Sequence, residues 1–251
     1  MHKYFANNTF VGKQIVYLPT CHSTNDIAAK MVPQGELLEG GVVITDEQTA
    51  GKGQRGNSWE ATPGQNLTFS VLFKPAFLPL SSQFYLNILS SLAIADTLNG
   101  YSPEGLAIKW PNDIYIGQAK LGGILIENTL RGQMIEHSII GIGLNINQKT
   151  FSSPKASSLA LICGREFVLE QILAELLAHL ESRYLQLKTN LYNRLKADYM
   201  ERLYWMGEER TFKDNDYFIG TICGIDEIGQ LMIGTTAGIR KFGIKEVQFI
   251  G

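Results

Sequence analysis

Glycine and positive charge are concentrated in one short stretch of this sequence, Gly51-Lys52-Gly53-Gln54-Arg55-Gly56, with Asn57, Ser58 and Trp59 directly after it. Closely spaced glycines let backbone N–H groups converge on an anion, and Lys52 and Arg55 add charge at the same place. The stretch matches G-x-G-x-x-G literally, yet a dinucleotide fold needs a helix after the third glycine, and Pro63 and Gly64 follow too soon for one. A Walker phosphate loop fails because Asn57 stands where its lysine belongs, and a kinase reading lacks the downstream signature set. Two readings stay open: a loop that binds an anion, or one that is merely flexible.

Other residues with chemical potential lie at the ends of strand-like runs. Lys109-Trp110-Pro111-Asn112-Asp113 follows such a run and reads as a turn, with Pro setting φ and Asn or Asp bonding the backbone. Lys120 opens the run KLGGILIE, where Gly122-Gly123 lets a ligand or a neighbouring strand come close; a lysine there also reads as a solvated strand end. GIGLNIN carries Asn145 and Asn147 inside an apolar run, where a buried amide needs partners. Ser23-Thr24-Asn25 precedes the helix-like DIAAKMV and has the residue types of a helix cap. His2, His22, His137 and His179 show no metal-ligand spacing with cysteine or with one another, and no Ser-His-Asp constellation is recognisable.

The elements that must carry these residues follow from pattern. Lys13 to Leu18 reads as a strand broken by Pro19, Gly40 to Thr45 as a buried strand, Glu47 to Gln65 as a long loop, and Asn66 to Phe73 as a strand. Gln83 to Leu98 has helical spacing, with Phe84, Ile88, Leu92 and Ala95 on one face. LAIKW, IYIG, KLGGILIE and HSIIGIGLNIN form an antiparallel meander. Val168 to Lys188 is helical and breaks near Thr189-Asn190. Beyond Trp205 short Gly-punctuated strands suggest a small β unit, which gives two expected domains, 1–205 and 206–251.

Composition narrows the class. With 251 residues, 45% hydrophobic and 18% charged, the chain is far from the disordered corner and long enough for a large core. A net charge of −2 disfavours a protein built to grip nucleic acid. Cys21, Cys163 and Cys223 are odd in number and unpaired by spacing, which fits a reducing cytoplasm. The first twenty residues lack a secretory pattern, and no run approaches the ~20 apolar residues of a membrane span.

Taken together and in order, Ser23-Thr24-Asn25, Gln48, GKGQRGNSW, KWPND, K-L-x-G-I-L-x-E from Lys120 to Glu127, and GIGLNIN resemble the biotin protein ligases over about residues 15 to 165. The resemblance implies an α+β fold, a mixed and largely antiparallel central sheet flanked by helices as in class II synthetases, plus a small C-terminal SH3-like β-barrel. It implies two reactions. Biotin and ATP, with Mg2+ accompanying the ATP, give biotinyl-5′-AMP and pyrophosphate, and the biotinyl group then passes to one lysine of a biotin carboxyl carrier protein. By the same resemblance Lys120 is the catalytic lysine bridging the biotin carboxylate and the α-phosphate. Biotin contacts fall on Ser23, Thr24, Asn25, Gln48, Lys52, Gly53, Gln54, Lys120, Gly123 and Leu125. Adenylate contacts fall on Lys52, Arg55, Asn57, Trp59, Asn112, Asp113, Lys120 and Asn145.

Two departures stand out. Some members carry Arg where this chain has Lys52, Gln54 and Asn57, so the loop here is less cationic. Bifunctional members carry an N-terminal DNA-binding domain, whereas the biotin-pocket motif here begins at Ser23. The expectation is a monofunctional cytoplasmic ligase, monomer or homodimer, with no DNA or membrane partner. The rivals are a lipoate-protein ligase and a noncatalytic biotin-binding protein on the same scaffold.

Overall fold

The computed structural model describes residues 8–101 and 105–250, with the side chain of Arg55 also outside the described set. Its larger sheet has seven strands: β1 (Ile15–Cys21), β2 (Val42–Gln48), β3 (Leu67–Phe73), β4 (Leu106–Lys109), β5 (Asp113–Ile116), β6 (Ala119–Arg131) and β7 (Met134–Leu144). The order is β1-β2-β3-β7-β6-β5-β4; only β1 and β2 run parallel, and every other pairing is antiparallel. The fold is therefore the mixed, largely antiparallel α+β arrangement anticipated above, with the meander β4 to β7 as read from sequence.

Side-chain alternation divides this sheet into two unlike faces. Val42, Ile44, Phe69, Val71, Phe73 and Ile140 point to a large core. Helices α2 (Phe84–Asn99), α4 (Leu169–Lys188) and α5 (Tyr192–Glu201) pack there, while the short α3 (Leu159–Cys163) begins at Ser158, whose hydroxyl accepts from Leu161 N–H. The opposite face is covered only in part, by the eight-residue α1 (Thr24–Met31), through Ala28 against Val43, Leu72 and Ile139. At the N-terminal end of α1 that face carries Ser70 and Gly141 beneath Thr24 and Asn25, and beyond them Thr68 on β3, Gly143 on β7 and Gly123 and Leu125 on β6, aligned by the registers Ser70↔Gly141, Thr68↔Gly143, Gly123↔Gly143 and Leu125↔Gly141. Small residues beyond a short helix leave a hollow, and the candidate site occupies it.

Three readings of the sequence are corrected. Pro19 does not break the first strand, because β1 is an edge strand and needs no N–H from that residue. Helix α2 is buried nearly all round rather than on one face, since α4 and α5 cover the side turned from the sheet. The C-terminal unit is a five-stranded antiparallel sheet of order β11-β10-β9-β8-β12, comprising β8 (Glu209–Lys213), β9 (Tyr217–Ile225), β10 (Leu231–Thr235), β11 (Gly238–Phe242) and β12 (Gln248–Ile250). Among the described residues no pairing joins its edges β11 and β12, so the expected barrel is not closed by strand pairing.

This smaller sheet shares one hydrophobic core with the rest of the chain: Phe212, Ile222, Ile225, Leu231 and Ile233 cluster with Tyr199 and Leu203. Gly229 sits at φ +85 with a Cβ position only 2.1 Å from Phe84, so the seam requires glycine. Its carbonyl accepts from Trp110 Nε1 at 2.9 Å, tying the KWPND turn to the C-terminal sheet.

Candidate active site

A cavity of about 780 Å³ opens over the hollow, a volume suited to a small-molecule pocket. It collects residues far apart in sequence: the start of α1, the end of β2, the glycine loop, the turn before β5, the start of β6, and Ile244, Val247 and Phe249 from the C-terminal sheet region.

At one end Ser23 holds the N-cap position of α1 in extended conformation, but its side chain makes no capping bond. All three residues of the triplet line the cavity. Thr24 N–H donates to Gln48 Oε1 at 2.8 Å. Ser70 Oγ lies 2.7 Å from Thr24 Oγ1 and 2.6 Å from Asn25 Oδ1. Asn25 Nδ2 donates to Glu127 Oε2 at 2.7 Å and more weakly to Leu125 O at 3.4 Å. A Cβ on Gly141 would stand 2.4 Å from Asn25 Oδ1, so the amide fits only over glycine.

The cationic part is built around β5 and β6. Lys120 Nζ pairs with Asp113 Oδ1 at 2.6 Å, both side chains partly exposed. Asn112 closes the turn: its Nδ2 donates to Ile124 O at 2.6 Å, and its carbonyl accepts from Ile124 N–H at 3.1 Å. Lys109 is held over the rings of Tyr115 at 4.8 Å, Phe249 at 4.9 Å and Tyr204 at 5.7 Å. Burial pulls the Lys109 ammonium below its ordinary pKa, nearby Asp113 opposes that, and the like charges of Lys155 and Lys120 add to it. Burial also pushes Tyr115 up to about 12, helped by Asp113.

The glycine loop folds back on itself. Gly53 N–H donates to Asn57 O at 2.7 Å and Trp59 N–H to Gly51 O at 2.9 Å, with one 3₁₀ turn over Gln54–Gly56 between them. Lys52 Nζ reaches Asp26 Oδ1 on α1 at 2.6 Å, and this bond raises the lysine pKa. The Trp59 indole lies on Gly143, where a Cβ would come within 2.2 Å of the ring, and its Nε1 is buried without a partner.

Of the residues singled out from sequence, Ser23, Thr24, Asn25, Gln48, Lys52, Gly53, Gln54, Asn57, Trp59, Asn112, Asp113, Lys120, Gly123 and Leu125 all line this one cavity. Asn145 is not among the lining residues; it is buried, its Nδ2 donating to Ser157 O at 3.1 Å. The Arg55 side chain lies outside the described residues. Sequence reasoning missed Ser70, Gly141, Gly143, Lys109 and the C-terminal contributors. A signal for the glycines existed, because Gly141 and Gly143 are two apart and so share a strand face.

The sequence profile of the Biotin/lipoate A/B protein ligase family matches residues 17–145. A biotin--[acetyl-CoA-carboxylase] ligase of Paracoccus denitrificans is 30% identical over 240 residues, 91% of this chain and 98% of that one. The bifunctional ligase/repressor BirA of Bacillus subtilis is 28% identical over 244 residues, 95% of this chain and 74% of the relative. Among solved structures, the biotin protein ligase of Aquifex aeolicus in complex with biotin and ATP shares the fold with a TM-score of 0.80 at 23% identity, covering 95% of this chain and all 100% of that one.

Proposed function

The chain belongs to the biotin/lipoate A/B protein ligase family, and from that premise we propose that it is an ATP-dependent biotin protein ligase acting on a biotin carboxyl carrier protein of the acetyl-CoA carboxylase type. One observation carries the reading: the Lys120 ammonium opens into the same cavity as a hydroxyl and amide cluster at Ser23, Thr24, Asn25 and Gln48 and the Trp59 indole under a glycine loop.

In the first step a biotin carboxylate oxygen attacks the α-phosphorus of ATP, and the bond to the bridging oxygen breaks as pyrophosphate leaves with the electron pair. Negative charge grows on the α-phosphoryl oxygens, and Lys120 supplies the positive donor that stabilises it. Asp113 holds that ammonium in place and yields it to the substrate anions. In the second step the neutral amine of the carrier lysine attacks the acyl carbon, the acyl C–O bond breaks, AMP departs, and the amine proton passes to solvent. Between the steps the mixed anhydride needs protection from water, and the loop from Gly51 to Trp59 lies where it can give it. Mg2+ accompanying the ATP would supply positive charge to the phosphates, and Asp113 is the side chain that would help hold it. Asp113 is the carboxylate on the cavity lining, and among the described residues no three His, Cys, Asp or Glu gather as a metal site.

The same proposal keeps residues 1–205 as the catalytic part and 206–251 as an appended sheet that completes the cavity wall. It places the enzyme in the cytoplasm as monomer or homodimer; among the described residues no helix is long and apolar enough to cross a membrane. With a net charge of −2 we place DNA outside its partners. Incubation with ATP, biotin and a carrier domain, followed by mass spectrometry, is expected to show one biotinylated carrier lysine. An unmodified carrier would defeat the proposal.

A further inference from the structure

The ligand-binding end of the cavity contains a chain of hydrogen bonds whose direction is fixed from outside the cavity. It starts at Glu127, whose carboxylate oxygens act as acceptors. Asn25 must therefore turn its Nδ2 toward Glu127 Oε2 at 2.7 Å and Leu125 O at 3.4 Å, because both partners accept. That orientation leaves Asn25 Oδ1, again acceptor only, facing Ser70 Oγ at 2.6 Å. Ser70 has one hydroxyl proton, and Asn25 takes it. The 2.7 Å contact between Ser70 Oγ and Thr24 Oγ1 then needs a proton from Thr24. Gln48 Oε1, at 3.2 Å from the same hydroxyl, is the poorer recipient and already accepts Thr24 N–H at 2.8 Å.

We propose that Ser70, fully buried and not on the cavity lining, is a positioning residue that works with Glu127 through Asn25 to hold the Thr24 hydroxyl as a hydrogen-bond acceptor toward the ligand. The same set of bonds leaves Gln48 its amide nitrogen as a donor. An acceptor beside a donor matches a urea, whose N–H flanks its carbonyl, and rejects a ligand end that lacks the N–H. This inference rests on the biotin reading above and adds to it a role for two residues behind the pocket. Without Ser70 the Thr24 proton is free to turn to Gln48, and Asn25 Oδ1 loses its donor. With Gln in place of Glu127, Asn25 can flip at the loss of its weak bond to Leu125 O, which reverses the bonds through Ser70 to the Thr24 hydroxyl and makes that hydroxyl a donor to the cavity.

Calorimetric titration of biotin into the full chain tests this on wild type, Ser70→Ala, Glu127→Gln, Thr24→Val and the double variant Ser70→Ala/Thr24→Val. Ser70→Ala is expected to weaken biotin binding roughly tenfold, the worth of about one buried hydrogen bond, with ATP binding changed less than twofold. Glu127→Gln, at an exposed position where folding is not at risk, is expected to weaken biotin several-fold. In the Thr24→Val background the Ser70 substitution is expected to add less than twofold, because its effect acts through that hydroxyl. Biotin affinities of Ser70→Ala and Glu127→Gln within twofold of wild type, or a Ser70 loss that persists undiminished without the Thr24 hydroxyl, would overturn the inference alone. Absence of biotin binding by the wild type, with lipoate bound instead, would overturn the biotin reading and this inference with it.

Discussion

A single ammonium, that of Lys120, is held by Asp113 at 2.6 Å, so any substrate anion that reaches it competes with a carboxylate already in contact. Around it the glycine loop presents Lys52, Gln54 and Asn57, of which only Lys52 carries charge, and that charge is shared with Asp26 at 2.6 Å. Gln54→Arg adds a guanidinium able to clamp a phosphate through two N–H groups. It is expected to slow dissociation of the adenylate by roughly tenfold, as one added charged hydrogen bond would; an unchanged release rate, followed with labelled biotinyl-AMP, would sink this. Residues of this kind were legible in the sequence because motif order and residue type go together in KWPND and KLGGILIE. Ser70 was not legible, since one hydroxyl inside NLTFSVLF looks like any strand residue until Thr24 and Asn25 are folded onto it. Asn145, an adenylate contact by the family resemblance, lies buried off the cavity lining with its Nδ2 on the carbonyl of Ser157 and its Oδ1 without a partner among the described residues.

At the scale of elements, β6 and β7 make the site by what they lack. Gly143 gives the Trp59 indole its seat, and a methyl there would overlap the ring at 2.2 Å. Gly143→Ala is expected to raise the KM for ATP at least tenfold while leaving the melting temperature within a few degrees, since strand pairing is unaffected. An unaltered KM would show that Trp59 does not need that seat. The strands were readable from alternation, and the break between α4 and α5 falls where Asn190 takes φ +62. The all-round burial of α2 is signalled by apolar residues on every side of FYLNILSSLAIADTLN, which the one-face reading passes over; what covers them, α4 and α5, no local pattern shows. Those three helices are joined by polar contacts as well: Asp96 accepts from Arg183 Nε at 2.8 Å and Nη2 at 3.2 Å, and from Arg202 Nη1 at 2.6 Å. Asp96→Asn takes the paired carboxylate from Arg202 and leaves Arg183 with Asp198 and Gln186 only, and it is expected to destabilise the fold by about 1–2 kcal/mol in chemical denaturation. A loss below about 0.5 kcal/mol, the level of a solvated surface pair, would contradict that expectation.

For the whole molecule, residues of the C-terminal sheet region form part of the cavity wall. Phe249 covers Lys109, and Ile244 and Val247 line the cavity. Composition announced a separate β unit after Trp205, but the shared core through Tyr199, Leu203 and Phe212 depends on contacts that no local pattern encodes. The N-terminal segment is fastened in a similar way. Glu181 accepts from the backbone N–H groups of Thr9 and Phe10 at 2.7 Å and Val11 at 2.9 Å. Burial would raise the pKa of Glu181 and of Asp96, but these backbone donors in the first case and Arg183 and Arg202 in the second hold both carboxyls below their ordinary values. The unfolded chain therefore takes up protons first as the pH falls. Their stabilisation is complete above about pH 5 and is lost as the pH drops through the lowered folded values. Glu181→Gln is expected to flatten that acid limb of stability against pH, and an acid limb as steep as that of wild type would count against it.

The ligase account is tested most directly by exchange of labelled pyrophosphate into ATP, run with biotin or lipoate as the carboxylic acid, on wild type and Lys120→Ala. Exchange that depends on biotin, fails with lipoate and falls at least a hundredfold in Lys120→Ala is the expected result. Exchange with lipoate in place of biotin, or exchange with biotin that survives the loss of Lys120, would contradict it.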